Sequence, residues 1–202
     1  EQSGILEQFP GVDGIVPIVH GAGCCIGTND EAFRKLQRAI WGYATHPNFA
    51  SVLMLGLGCE SNQIPAMLEA YGRQQDDAFQ YFTLQSEGGT RKSIEKGMIW
   101  LETALKTANK AVREPVDVSH LSVALQCGGS DGYSGITSNP ALGHAVDLLV
   151  KNGGTAALAE TPEIYGAENL LTNRATSPEV ARKLIDLLEW WEKYTLKHGS
   201  EM

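Results

Sequence analysis

The feature that most constrains this chain is an alternation. Short apolar runs are each followed by a Gly- or Pro-marked turn and then by a stretch with helical spacing. "GIVPIVH" (14–20), "SVLMLGL" (51–57), "LSVALQ" (121–126) and "TAALAE" (155–160) read as buried strands, with "FQYFTLQ" (79–85) as a further candidate. Strands that alternate with helices are joined by crossovers, so the pattern predicts βαβ units and largely parallel sheets. The expected fold class is therefore α/β, as two Rossmann-like βαβ halves. "REPVDVSH" (113–120) separates a long helical stretch from a new strand. It is expected to link one α/β unit, residues 1–112, to a second, residues 121–202.

Helix-end signals fit this plan. Thr28 with Glu31 forms a capping-box pattern before "EAFRKLQRAIWGYA". Asn139-Pro140, Thr161-Pro162 and Ser177-Pro178 each set a capping side chain before a proline suited to the first helical position. Asn152-Gly153-Gly154 is a stop signal for the helix "ALGHAVDLLVK". Residues 90–112 and 178–198 carry long helical patterns.

Composition narrows the partners. At 202 residues and 43% hydrophobic, the chain can bury a real core. Its net charge of −8 argues against a nucleic-acid backbone or an anionic membrane as the main partner. No apolar run approaches the roughly 20 residues of a membrane helix, and the start, "EQSGILEQFPG", is acidic and polar rather than signal-like. The four cysteines include the adjacent pair Cys24 and Cys25, poorly placed to bond to each other. They read as free thiols in a reducing cytoplasm.

Ligands of open α/β sheets bind at the carboxyl ends of the strands, and the unusual residues of this chain collect there. "HGAGCCIG" supplies His20, Cys24 and Cys25; "GCESNQ" supplies Cys59, Glu60 and Asn62; "QCGGSD" supplies Cys127, Ser130 and Asp131; "ETPE" supplies Glu160 and Glu163. A single free cysteine is usually a small buried hydrophobe. Cysteines at three strand ends, beside Gly, Glu, Asp and His, instead suit a soft transition metal or three corners of an iron–sulfur cluster. The spacing is not that of a CxxC zinc site.

The remaining polar residues divide by position. His20 is open between base, ligand and hydrogen-bonded packing residue. His46, before a proline, reads as a loop-fixing residue, and His120, His144 and His198 as structural or solvated. Glu163 falls in a first helical turn, where the dipole alone stabilises a carboxylate; Glu160, ending a strand, has the stronger claim to function. Arg91 and Arg174 are natural carboxylate clamps, with solvated surface charge as the plain alternative. Tyr165, Trp190 and Trp191 read as packing residues.

The loop "LQCGGSDGYSGITSNPALG" (125–143) has neither the Gly-Lys-Ser/Thr of a phosphate loop nor a GxGxxG with a distant acid. Its exposed N–H groups, hydroxyls and carboxylate suit a sugar acid, an oxyanion or a hydrated metal.

The strings "VHGAGC", "GYATHPNF", "GLGCE", "GGTRK", "LQCGGSDGYSGITSNPALG" and "ETPEIYGAENLL", in this order, resemble the altronate/galactarate dehydratases, most closely the altronate branch. Sulfolactate sulfo-lyases share that architecture. The resemblance implies an iron-dependent hydro-lyase, Fe2+ or iron–sulfur, that dehydrates D-altronate to 2-dehydro-3-deoxy-D-gluconate. It also implies family members about twice this length, so the chain is expected to be a fragment covering the second domain and the start of the C-terminal one. On this basis Cys24, Cys59 and Cys127 are the expected metal ligands; Cys25 stands where the family has a small residue. His20, Glu160 and Asp131 are the candidate catalytic groups. Arg91, Ser130, Asn139 and Glu163 are the candidate contacts to a small sugar-acid substrate. A non-catalytic sugar-acid-binding module is the rival reading, and a homo-oligomer is left open.

Overall fold

A computed structural model of the chain describes residues 4–22, 24, 26–129 and 131–202. The chain divides into two compact units, Glu1–Arg113 and Glu114–Met202. Each is an α/β unit built around a parallel pair of strands.

In the first unit the order is α1 (Glu31–Ala44), β1 (Val52–Gly56), α2 (Ile64–Tyr71), β2 (Phe79–Thr83) and α3 (Thr90–Ala108), after a 3₁₀ turn at Ile5–Gln8. β1 and β2 pair in parallel from Val52–Phe79 to Gly56–Thr83, so β1-α2-β2 is a βαβ unit. The core gathers Ile64, Leu68 and Phe79, with Trp41, Ala44, Val52, Met54 and Tyr81 packed against them. Phe79 and Met67 are fully buried. Trp41 stacks on Tyr71 at 4.8 Å, tying α1 to α2; offset stacking of this kind adds to simple burial.

The second unit runs through a 3₁₀ turn at Val118–His120, β3 (Ser122–Leu125), α4 (Ser138–Lys151), β4 (Thr155–Leu158), a 3₁₀ turn at Thr161–Ile164, α5 (Asn169–Thr172) and α6 (Pro178–Lys197). β3 and β4 pair in parallel from Ser122–Thr155 to Leu125–Leu158. Among its described residues only Leu188 is a buried hydrophobe, while Leu142, Leu148, Val150, Leu158, Leu170 and Leu196 are exposed.

Four of the five expected strands form. Residues 14–20 do not: the segment has no regular secondary structure, and Val16 and Val19 are 62% and 89% exposed. Apolar alternation makes a strand only where a partner accepts its hydrogen bonds, and Pro17 removes a donor from the middle of the run. Cys24 therefore follows an irregular segment, and the expectation that every cysteine ends a strand is corrected.

Helix starts moved as well. Asp30, not Thr28, caps α1, its carboxylate accepting from Phe33 N–H at 2.8 Å. Helix α4 begins at Ser138 rather than after Asn139, and Thr137 precedes it without a side-chain cap. Thr161 opens a 3₁₀ turn instead of capping a helix. Ser177 caps α6 as expected, with Pro178 as its first residue. Gly153, at φ 89°, follows the Asn152 C-cap of α4. No described helix is long and apolar enough to cross a membrane.

Candidate functional site

Parallel pairing puts the loops after β1 and β2 at one edge of the first sheet, and those after β3 and β4 at one edge of the second. Each edge is considered by itself.

In the first unit β1 runs into Leu57-Gly58-Cys59-Glu60-Ser61. The strand ladder continues beyond the sheet: Leu84 N–H donates to Gly56 O at 2.9 Å and Gln85 N–H to Leu57 O at 3.1 Å. Glu60 turns back into its own loop and accepts from Leu57 N–H at 3.0 Å and Gly58 N–H at 2.5 Å. Gln63 Nε2 donates to Glu60 O at 2.5 Å. Cys59 is left exposed, whereas Glu60 is half-buried. Cys24 joins this edge through its backbone, since Ser61 Oγ donates to Cys24 O at 2.5 Å. Its thiol side is exposed too.

Arg91 stands in the first turn of α3, the helix that leaves the β2 loop, and is exposed. Among the described residues no carboxylate pairs with it. Gly88 and Gly89, at φ 81° and 109°, shape the turn before it; glycine adopts such angles without a Cβ penalty. His20 lies on the exposed irregular segment. His46 fixes its loop as expected, with Nδ1 accepting from Asn48 N–H at 3.2 Å.

In the second unit the structure brings two expected site residues into contact. Glu160, just past β4, accepts through Oε2 from Cys127 N–H, just past β3, at 2.7 Å. Glu160 adopts φ 62° and ψ 63°, the left-handed region, and is the only described non-glycine residue with positive φ. Such a conformation costs about 1–2 kcal/mol for a residue with a Cβ, and strain of this kind collects at functional sites. Cys127 is exposed, its Sγ 3.7 Å from Gly129 O. Asp131 is used partly in its own turn, with Oδ1 accepting from Tyr133 N–H at 3.0 Å.

Asn139 and Glu163 are exposed, in the first turn of α4 and in the 3₁₀ turn at Thr161–Ile164. Ser130 and Cys25 lie outside the described residues. Tyr165, expected to pack, is 46% exposed and donates from its hydroxyl to Glu192 at 3.2 Å. The Glu192 carboxylate raises the Tyr165 phenol above its usual value by charge repulsion and by this hydrogen bond.

The metal expectation can be set against this donor set. Thiolates are chemically suited to a soft transition metal such as iron, but the described residues do not assemble such a donor set. Among the described residues no group of three His, Cys, Asp or Glu side chains forms a metal-sized cluster. Cys24 and Cys59 belong to the first unit and Cys127 to the second. Residues that support these loops, Ser61, Gln63 and Gln85, were not singled out from sequence. Their signal was position alone, within or opposite the turn that holds Cys59.

Comparison with known proteins gives a consistent result. The model of the D-galactarate dehydratase/altronate hydrolase second domain matches residues 1–109, and that of the D-galactarate/altronate dehydratase C-terminal domain matches 118–202. An altronate dehydratase of Bacillus subtilis is 36% identical over 200 residues, covering 98% of this chain and 38% of the relative. The altronate dehydratase of Escherichia coli is 35% identical over 94% of this chain and 37% of the relative. Galactarate dehydratase (L-threo-forming) of Escherichia coli is 37% identical over 78% of this chain. The chain thus spans a little over a third of the length of the two altronate dehydratases.

Proposed function

Since this chain belongs to the D-galactarate/altronate dehydratase family, we propose that it carries catalytic machinery of a sugar-acid hydro-lyase, with D-altronate as substrate. The products are 2-dehydro-3-deoxy-D-gluconate and water. The observation that carries this reading is the contact between Cys127 and a strained Glu160 at the carboxyl end of a parallel strand pair. Within family-matched sequence, that is where an α/β protein keeps its chemistry.

The reaction is a β-elimination. A base takes the proton from the carbon next to the carboxylate, and the C–O bond of the adjacent carbon breaks. An acid protonates the departing oxygen to give water, and the enol left behind tautomerises to the 2-keto acid. Proton transfer of each kind typically contributes 10²–10⁴-fold.

In this assignment Arg91 binds the substrate carboxylate, which suits an exposed guanidinium with no carboxylate partner among the described residues. His20 is the base or a ligand. Glu160 is the acid–base partner, because Oε2 is held by Cys127 N–H and Oε1 accepts no such bond from the described residues; Asp131 is the alternative. Ser130, Asn139 and Glu163 are assigned to the sugar hydroxyls. Iron is assigned to the thiolates Cys24, Cys59 and Cys127, and when bound it would supply Lewis-acid stabilisation of the carboxylate and leaving oxygen.

Product analysis of the protein with altronate, galactarate and sulfolactate tests the reading. Formation of 2-dehydro-3-deoxy-D-gluconate from altronate supports it. Preferential turnover of galactarate, or sulfite release from sulfolactate, reassigns the substrate within the family. Binding of aldonates without dehydration, even with iron supplied anaerobically, replaces the enzyme reading by a binding module. Full activity in iron-free protein refutes the metal assignment.

A further inference from the structure

We propose that residues 14–20 are a closing strand. They zip onto the free edge of β1 as a third parallel strand of the first unit's sheet, and so bring His20 to the edge that carries the loop after β1. In the structure the segment is open, without regular secondary structure and with Val16, Ile18 and Val19 exposed. The pairing stands on topology and hydrogen bonds alone; only the part His20 plays at that edge rests on the hydro-lyase reading above.

Both ends of the segment are already held. Gly11 N–H donates to Asn109 Oδ1 at 2.7 Å, and Arg113 pairs with Asp13 at 2.7 Å. Asn109 is the C-cap of α3. That helix starts after the β2 loop, at the carboxyl edge, and passes the strands at Gly97, where a Cβ would lie 3.6 Å from Leu53 and 3.8 Å from Phe82. Its far end therefore lies toward the amino edge. At the other end of the segment, Cys24 O accepts from Ser61 Oγ in the loop after β1. The chain between these anchors must climb from the amino edge to the carboxyl edge, in the direction of β1. Residues 14–20 span about 20 Å when extended, at roughly 3.3 Å per residue, enough to run the length of the five-residue β1.

The side of β1 is fixed by handedness. Trp41 and Ala44 of α1 pack with Ile64 and Leu68 of α2 over Val52 and Met54, so α1 and α2 cover the same face of the sheet. Crossovers between parallel strands are right-handed. With both helices on one face, the step from 14–20 through α1 to β1 has the same direction as the step from β1 through α2 to β2. The segment therefore belongs on the side of β1 away from β2.

That side is open. Val52 N–H donates to Ala78 O and Gly56 O accepts from Leu84 N–H, so these residues of β1 face β2. Strand residues alternate, which turns the backbone groups of Leu53 and Leu55 to the other side, where no described strand lies. A free edge of this kind is a template for a further strand. Leu55 is exposed, as are Ile94 and Met98 of α3, which share a helical stripe with Gly97; a third strand covers apolar surface there. Pro17 is compatible with an edge strand when its nitrogen faces away from the neighbour. That parity points the N–H groups of Val16 and Ile18 at β1 and leaves the N–H of Val19 outward, beside Pro17.

Amide hydrogen exchange of the whole chain, resolved by NMR, tests the pairing through this parity. In wild-type protein the Leu53 and Leu55 amides are expected to exchange about tenfold or more slowly than free amides, the worth of one net hydrogen bond, at a rate independent of protein concentration. Ile18→Pro removes an inward donor and is expected to abolish that protection. Val19→Pro falls on the outward side and is expected to keep it. Met54, whose N–H faces β2, should stay protected in both variants and reports that the unit is folded. Free exchange at Leu53 and Leu55 in wild type overturns the proposal, as does an equal effect of the two prolines. Protection that grows with protein concentration overturns it too, because a second copy then supplies the strand. If Ile18→Pro also loses protection at Met54, the wild type and Val19→Pro decide. None of these readouts involves a substrate, so their failure leaves the hydro-lyase reading standing, and inactivity toward every sugar acid leaves the strand standing.

Discussion

Replacing Glu160 separates two effects that oppose each other in the native chain. Its left-handed backbone, φ 62° and ψ 63°, costs about 1–2 kcal/mol because a Cβ crowds the following carbonyl. Its carboxylate bond from Cys127 N–H at 2.7 Å is solvent-exposed, so its net worth is no more than about 1 kcal/mol. Glu160→Ala removes the bond and keeps the strain, so it is expected to destabilise by about 1 kcal/mol. Glu160→Gly removes both, so its stability should match or exceed wild type. The glycine variant should thus exceed the alanine variant by about 1–2 kcal/mol. At ordinary loop positions the order is the reverse, with alanine ahead by about 0.4–1 kcal/mol.

Thermal unfolding followed by circular dichroism reads the difference. One kcal/mol corresponds to about 4–8 °C for a domain of 60–100 residues. Both variants should also lose about 10²–10⁴-fold in dehydration rate if Glu160 moves a proton. An alanine variant as stable as the glycine variant, or more so, refutes the strain argument. A glycine variant that is stabilised and inactive identifies the strain as the cost of keeping a carboxylate at that point.

Further outcomes follow from the same geometry. Gly56→Ala forces a methyl against Glu60, 3.2 Å from Ile64 Cδ1 and 3.3 Å from Thr83 Cγ2; overpacking of this kind costs about 1–3 kcal/mol, measurable by urea denaturation. Ser177→Ala deletes the α6 cap and should cost about 1 kcal/mol, whereas Thr28→Ala should stay within about 0.5 kcal/mol of wild type because Asp30 is the α1 cap. Equal losses in the two variants would contradict that cap assignment. Arg91→Ala should reduce kcat/KM for the sugar acid about 10–100-fold without a change in melting temperature, the value of a charged hydrogen bond, and Arg91→Lys should recover only part of it. Unaltered kinetics in both would remove Arg91 from the substrate site.

The strands β1 to β4 and the helices α3 and α6 could be read from the sequence because their signals are local. Periods of 2 and 3.6, a Ser-Pro start before α6 and an Asn-Gly-Gly stop after α4 all act within a few residues of where they are written. That Cys59 follows β1, Cys127 follows β3 and Glu160 follows β4 was equally legible, because the alternating pattern already says where each strand ends. Residues 14–20 carried the same apolar signal and did not form a strand. A strand is completed by a neighbour's hydrogen bonds, and no local pattern supplies the neighbour. The sequence pattern pointed to Thr28 as the α1 cap, whereas in the folded chain the Asp30 carboxylate is the group that reaches the Phe33 amide.

Within the site, Glu60 and Glu160 look alike in sequence, an acid just past an apolar run. Only the tertiary structure turns Glu60 inward onto its own loop and sets Glu160 in a left-handed conformation facing the Cys127 amide. Those outcomes depend on hydrogen bonds and steric limits between residues brought together by strand pairing, such as Glu160 with Cys127 and Gly58 with Gln85. Short-range propensities decide which elements form; contacts across strands decide which side chains those elements leave free to act.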